Sequence, residues 1–206
     1  MKGIHALPSR KLILLMGGRS RRMGTDKAFL EINGERMLER VLRRLDGVGA
    51  PVVVCNQHVV FPSINVPVVR DHWDHRGPLA GIHAGLSHGE EEIAFVVACD
   101  MPFASAAVAH FLMDVMMKKK VDAVVPRVGQ REHPLFAVYH RRILPIVESI
   151  LTKEKDYSMH HLLRCIQAHY VEQVRGLTPV ELNQALFNMN HPGDHLLAKA
   201  WLYSEK

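Results

Sequence analysis

The stretch KLILLM at residues 11–16 has no polar side chain after Lys11 and stops abruptly at Gly17-Gly18. A strand that is apolar on both faces needs cover above and below, which a parallel sheet between two layers of helices supplies. Similar runs recur at residues 51–55 (PVVVC), 66–69, 93–98 (IAFVVA) and 123–126. Helical patterns separate them. In 37–45, Met37, Leu38, Val41, Leu42 and Leu45 share one face. Residues 79–86 follow Gly77-Pro78, with proline suited to a first helical turn, and 106–117 reads as a further helix. Asn33-Gly34 marks a tight turn before the first helix. Past about Pro126 the alternation loosens, with a strand at 134–139 and helices at 143–152, 159–166 and 192–203. The pattern predicts an α/β fold, a three-layer α/β/α sandwich on a mostly parallel, Rossmann-like sheet with right-handed crossovers. With 206 residues, no internal repeat and no low-complexity linker, one domain over 1–206 is the economical reading.

The apolar runs are far too short to span a membrane, and no secretory signal core is visible. Cys55, Cys99 and Cys165 form no C-x-x-C pair, as expected of reduced thiols in the cytoplasm, and all three are expected to be buried. The net charge of +5 would suit nucleic acid, anionic lipid or a polyphosphate ligand. Only 6% of residues are aromatic, and without a basic stripe nucleic acid is the weakest of these readings. Lys118, Lys119 and Lys120 end a helix, where they complement its dipole. Arg19, Arg21, Arg22 and Lys27 instead crowd into the glycine-rich segment 17–27.

That segment follows the first strand, at the carboxyl edge where open parallel sheets bind ligands. Glycines let backbone N–H groups approach an anion, arginines add planar forks and Lys27 a point charge. A triphosphate needs these features together, although neither G-x-x-x-x-G-K-[ST] nor G-x-G-x-x-G is present. Asp100 ends the run 95–99 and could hold Mg²⁺ against phosphate oxygens, or could serve as a turn acid or helix cap before Ser105. Asp71 is a second acid at a strand end, ahead of a helix start that offers free N–H groups. His72, His75 and His83 match no closed zinc spacing and read as solvated loop histidines. The ten methionines read as core fillers.

Five segments in order, LMGGRSRRMGTDKA (15–28), GPLAGI (77–82), ACDMP (98–102), HPL (133–135) and NMNHPGD (188–194), resemble the molybdenum cofactor guanylyltransferases, the MobA family. The resemblance spans nearly the whole chain. It implies a nucleotidyltransferase fold related to glycosyltransferase-A enzymes. The implied reaction joins GMP from GTP to the phosphate of Mo-molybdopterin with Mg²⁺, releasing pyrophosphate. Carried over by motif, Leu15, Met16, Gly17 and Gly18 would line the nucleotide and Lys27 would meet its phosphates. Asn56 and Asp71 would contact the nucleotide, and Asp100 would bind both metal and GTP. Asn188 and Asn190, with His133 and Pro134, would lie toward the pterin acceptor. Lys27, Asp100, Arg22 and Arg19 are the expected catalytic set, with the cations screening the α-phosphate and pyrophosphate. Molybdenum-insertion or adaptor proteins of the same pathway are plausible partners.

Met16 stands where the family usually has Ala, and His191 and Gly193 replace its usual Thr and acid. Gly17-Gly18 and Cys99 look more like guanylyl- than cytidylyltransferases. A cytidylyl- or sugar-phosphate transferase, or a GTP-binding partner protein without catalysis, are the alternatives.

Overall fold

A computed structural model describes residues 9–16, 30–56, 64–73 and 75–204. The chain runs through β1 (Arg10–Met16), a hairpin of β2 (Glu31–Ile32) and β3 (Glu35–Arg36), α1 (Met37–Arg44), β4 (Ala50–Cys55) and β5 (Val68–Arg70). It continues through α2 (Gly77–Ser87), β6 (Ile93–Ala98), α3 (Ala106–Lys119), β7 (Ala123–Val128), β8 (Arg131–Glu132) and β9 (Phe136–His140). A 3-10 turn (Arg141–Ile143) leads into α4 (Leu144–Lys153), then α5 (Met159–Cys165), β10 (Ala168–Val171), α6 (Pro179–Ala185) and α7 (Pro192–Ser204).

The main sheet has the order β10-β7-β9-β6-β1-β4-β5, with β8 beside β7. β1 lies at its heart, parallel to both β4 and β6. β9 runs antiparallel between β6 and β7, so the otherwise parallel sheet is mixed on that side. Successive side chains of β1 enter opposite layers, as the pleat requires. Leu12, Leu14 and Met16 pack with α1, α3, α6 and α7; Ile13 and Leu15 pack with α2, α4 and α5. This is the expected three-layer sandwich. The continuous apolar runs exist because both faces of the central strands are covered.

Two close approaches shape the layers. A Cβ on Gly81 would come within 2.9 Å of Leu15 Cδ2, and one on Gly85 within 2.7 Å of Ile13 Cγ2. Glycines one turn apart thus let α2 lie directly on β1. In the hairpin, Asn33 and Gly34 both take positive φ (52° and 79°), the geometry an Asn-Gly turn is suited to.

Several expectations shift. The strand expected at 66–69 begins at Val68, because Pro67 has no N–H for the ladder and contributes only its carbonyl, to Val53 N at 2.9 Å. The strand expected from residue 134 begins at Phe136, whose N–H closes a turn onto His133 O at 3.0 Å. Cys55 and Cys99 are buried, but Cys165 is exposed: it ends α5 away from the core face of Leu162 and Leu163. His83 lies on α2 rather than in a loop, half-buried against the edge of Trp73. The sequence pattern marks neither β10 nor α6. β10 is an edge strand with only Val171 buried, and α6 is a seven-residue helix started by the Thr178–Glu181 capping box.

Candidate active site

The carboxyl edges of β6, β1, β4 and β5 lie side by side, and the expected nucleotide residues described in the structure sit along them. Leu15 and Met16 end β1, with Met16 beside Cys55 and Leu15 beside Ala98. Asn56 follows β4 and Asp71 follows β5. Asp71 N donates to Cys55 O at 2.9 Å, and an Arg70 guanidinium N–H donates to Asn56 O at 3.3 Å. Asp100 is the second residue after β6, in a turn whose start is pinned by Cys99 N donating to Leu15 O at 3.0 Å. From Asp100 to Asp71 the edge crosses three inter-strand intervals, roughly 14 Å in all. That span suits an extended nucleoside triphosphate.

The side chains of Leu15 and Met16 point into the core, 6% and 2% exposed. Any contact they make with a ligand is therefore through backbone. Met16, where the resemblance leads one to expect Ala, lies in one buried cluster with Leu14 and with Met37, Leu38 and Val41 of α1. Gly17, Gly18, Arg19, Arg22 and Lys27 lie outside the described residues. Their flanks are described: Met16 ends β1 next to the strand of Asp100, and Leu30 O accepts from Met37 N at 2.9 Å at the start of α1.

The late motif reaches the same place. Met189 N donates to Asp100 O at 2.9 Å, which brings Asn188 and Asn190 beside the Asp100 turn. The Asn188 side-chain oxygen is sealed from solvent and has no hydrogen-bond donor among the described residues. After it, Asp194 accepts from Asn190 N (2.7 Å) and His191 N (2.8 Å). The start of α7 thus keeps an acidic cap although Gly193 is not acidic. Asp100 itself is not the cap of α3; Ser105 is, its hydroxyl accepting from Val108 N.

His133 and Pro134 lie in the turn that leads into the neighbouring antiparallel strand β9. Leu135 O accepts from Ala98 N at 2.9 Å, and the buried Tyr139 hydroxyl donates to Pro134 O at 2.8 Å. Burial, helped by the Arg131 charge, pushes the His133 imidazole down to about 4, so it is neutral at physiological pH. It can offer or accept a hydrogen bond there without adding charge.

Three residues that carry this geometry were not anticipated. Arg40 Nε donates to Pro102 O at 2.9 Å, and Arg44 Nε donates to Ala104 O at 2.9 Å. Glu35 accepts from Arg40 (3.1 Å) and Arg43 (2.7 Å), and the Arg43 hydrogen bond leads in holding its carboxyl below the usual range despite burial. The available signal was an arginine pair four apart on α1, one turn's spacing, one of them next to apolar Val41. On a surface helix that pattern ordinarily means solvated charge.

No group of three or more His, Cys, Asp or Glu among the described residues is arranged to hold a metal. The donors at the Asp100 turn are instead one carboxylate and nearby amide and carbonyl oxygens. Hard oxygen ligands in small number suit Mg²⁺, which keeps waters and takes substrate phosphates to fill its shell. Among the described residues no helix is long and apolar enough to cross a membrane.

Comparison with known proteins identifies the family and the fold. The family described as MobA-like NTP transferase domain matches residues 12–174. A probable molybdenum cofactor guanylyltransferase from Pelotomaculum thermopropionicum is 37% identical over 196 residues, covering 94% of this chain and 92% of that protein. A molybdenum cofactor guanylyltransferase from Desulfosudis oleivorans is 39% identical over 138 residues, 66% of this chain and 68% of that one. The crystal structure of molybdopterin-guanine dinucleotide biosynthesis protein A from Archaeoglobus fulgidus superposes with a TM-score of 0.79 at 26% identity, covering 94% of this chain and 99% of that one. With the family match over most of the chain, a relative 37% identical across nearly its whole length and a closely superposing fold, the chain belongs to the MobA-like NTP transferase family of nucleotidyltransferases.

Proposed function

We propose that this chain is a molybdenum cofactor guanylyltransferase, joining GMP from GTP to the phosphate of Mo-molybdopterin and releasing pyrophosphate. The observation that carries the reading is the hydrogen bond from Met189 N to Asp100 O. It joins the acid on the nucleotide edge to the segment expected to face the acceptor, so both substrates can meet at one point. The names of the relatives supply the base and the acceptor.

Leu15 and Met16 offer backbone to the nucleotide, and Asn56 and Asp71 hold its base and sugar end. Gly17 and Gly18 let N–H groups approach the phosphates, while Lys27, Arg19 and Arg22 offset charge on the α-phosphate and the departing pyrophosphate. Asp100 would hold Mg²⁺, and Asn188, whose side-chain oxygen has no donor among the described residues, stands in the segment hydrogen-bonded to the Asp100 turn. The metal, when bound, neutralises phosphate charge and favours in-line displacement. Asn188, Asn190, His133 and Pro134 orient the acceptor. A phosphate monoester is already largely ionised above its second pKa of about 6, so its oxygen attacks phosphorus without a general base. A neutral His133 fits that scheme, because it positions the acceptor without competing for its charge.

One domain would carry both halves, and the enzyme would work in the cytoplasm, handing its product on to insertion or adaptor proteins. The test incubates the protein with each of the four nucleoside triphosphates, Mg²⁺ and purified Mo-molybdopterin. Mass analysis should find the guanine dinucleotide with stoichiometric pyrophosphate from GTP alone. Product with CTP in preference would make it a cytidylyltransferase, and GTP binding without pyrophosphate release would leave only a binding protein.

A further inference from the structure

Among the described residues, two charged side chains are buried, Lys11 and Arg40. Lys11 pairs with Glu91 at 2.7 Å near the start of β1, at the opposite end of the sheet from Asp100. Arg40 lies behind the proposed site and the reaction scheme does not use it.

Its guanidinium, 7% exposed as a residue, lies 5.9 Å from the Phe103 ring centroid, donates to Pro102 O and is held by Glu35. One turn later Arg44 donates to Ala104 O at 2.9 Å and Phe103 O at 3.3 Å. Three successive carbonyls, 102 to 104, thus accept from two arginines of one helix, immediately after the Asp100–Met101 step. Glu35 belongs to the β2–β3 hairpin. The Arg40–Glu35 pair therefore ties that hairpin to the Asp100 turn. Burying a guanidinium is costly unless it is paired and fully bonded. Simple packing of α1 on Phe103 would be met as well by an apolar residue.

Resting on the reading that Asp100 binds the metal, we infer that Arg40, oriented by Glu35, is a positioning residue that sets the Asp100 carboxylate for divalent-cation binding. It does not touch substrate. It fixes the backbone from which the carboxylate projects, as partners outside the ligand shell do at other metal sites, where their loss typically weakens metal affinity by about 10–100-fold. Glu35 prevents the guanidinium from turning toward water, and the planar fork lets one side chain hold a carbonyl and a carboxylate together.

The test measures Mn²⁺ affinity by electron paramagnetic resonance at saturating GTP, without acceptor, alongside metal-free GTP affinity by calorimetry and thermal unfolding. Arg40→Met should weaken Mn²⁺ binding about tenfold with metal-free GTP affinity unchanged, and Arg40→Lys should recover only part of the loss. Glu35→Gln keeps Arg40 and the fold, and should show a smaller loss of the same kind, so a failure of Arg40→Met to fold leaves the inference testable. Arg43→Gln removes a charge that shares Glu35 but does not touch residues 102–104, and should leave Mn²⁺ affinity unchanged. Unaltered Mn²⁺ affinity in both Arg40→Lys and Glu35→Gln, or an equal loss in Arg43→Gln, overturns the inference while leaving the Asp100 assignment standing. Unaltered affinity in Asp100→Asn overturns both.

Discussion

The two acids of the proposed nucleotide-binding edge are supported in opposite ways. Asp100 leaves β6, a strand buried at every position, and its turn is anchored by Leu15 O in front, Met189 N beside it and two arginines behind. Asp71 leaves β5, a three-residue edge strand with no fully buried side chain. At the end of the loop that follows it, Arg76 lies 4.1 Å over the Tyr157 ring and 5.9 Å from that of Trp73 and donates to Leu151 O at 2.9 Å. A group that must meet a transferring phosphate tolerates little displacement, because misplacement of about 1 Å can cost 10²-fold in rate. A group that contacts the nucleoside end can adapt. Rigid support is thus concentrated where the chemistry is proposed to occur.

The comparison breaks most readily on turnover. Asp100→Asn should lower the rate of pyrophosphate release by ~10²–10³, and Asp71→Asn should mainly raise the KM for GTP; equal losses in turnover would erase the distinction. Stability sharpens it next. Phe95→Ala, at the centre of β6 and edge-on to Phe136 at 4.9 Å, should destabilise by about 3–5 kcal/mol in denaturant unfolding. Val68→Ala on β5, 38% exposed, should change stability by less than about 1 kcal/mol. Arg76→Ala removes two cation–π contacts and a carbonyl hydrogen bond, about 1–2 kcal/mol together. It should raise the KM for GTP while leaving Mn²⁺ affinity alone, and a loss of metal binding would mean the two supports are not separate.

The smallest effect is set by pH. His133 is neutral in the fold down to about 4 against an ordinary value of 6.5, so between those limits the unfolded chain binds the extra proton. Its contribution is whole above pH 6.5 and is lost as pH falls toward 4, about 1 kcal/mol once solvent screening is allowed for. His133→Asn should flatten the decline of unfolding free energy over that window by this amount. An unchanged slope would mean that the imidazole is not sheltered there.

Much of the architecture was legible in the chain. The central strands announced themselves because burial on both faces leaves no room for polar residues in 12–16 or 93–98. The edges did not: β10 exposes three of its four residues at least in part, and nothing in its pattern separates it from loop. Asp100 and Asp71 were legible as acids at strand ends. Arg40, Arg44 and Glu35 were not, because a charged residue on a helix is ordinarily solvated and only its neighbours in space can show that it is buried.

Local pattern by itself determined the layers, the turn at Asn33-Gly34 and the acids that close the strands, because these follow from hydrophobic periodicity and backbone preference within a few residues. Tertiary structure alone decided that Met189 would meet Asp100, that two arginines of α1 would hold the carbonyls after it, and that Met16 would face the core. Those are contacts between residues up to 89 positions apart, and they depend on how helices settle on the sheet, which no local pattern specifies.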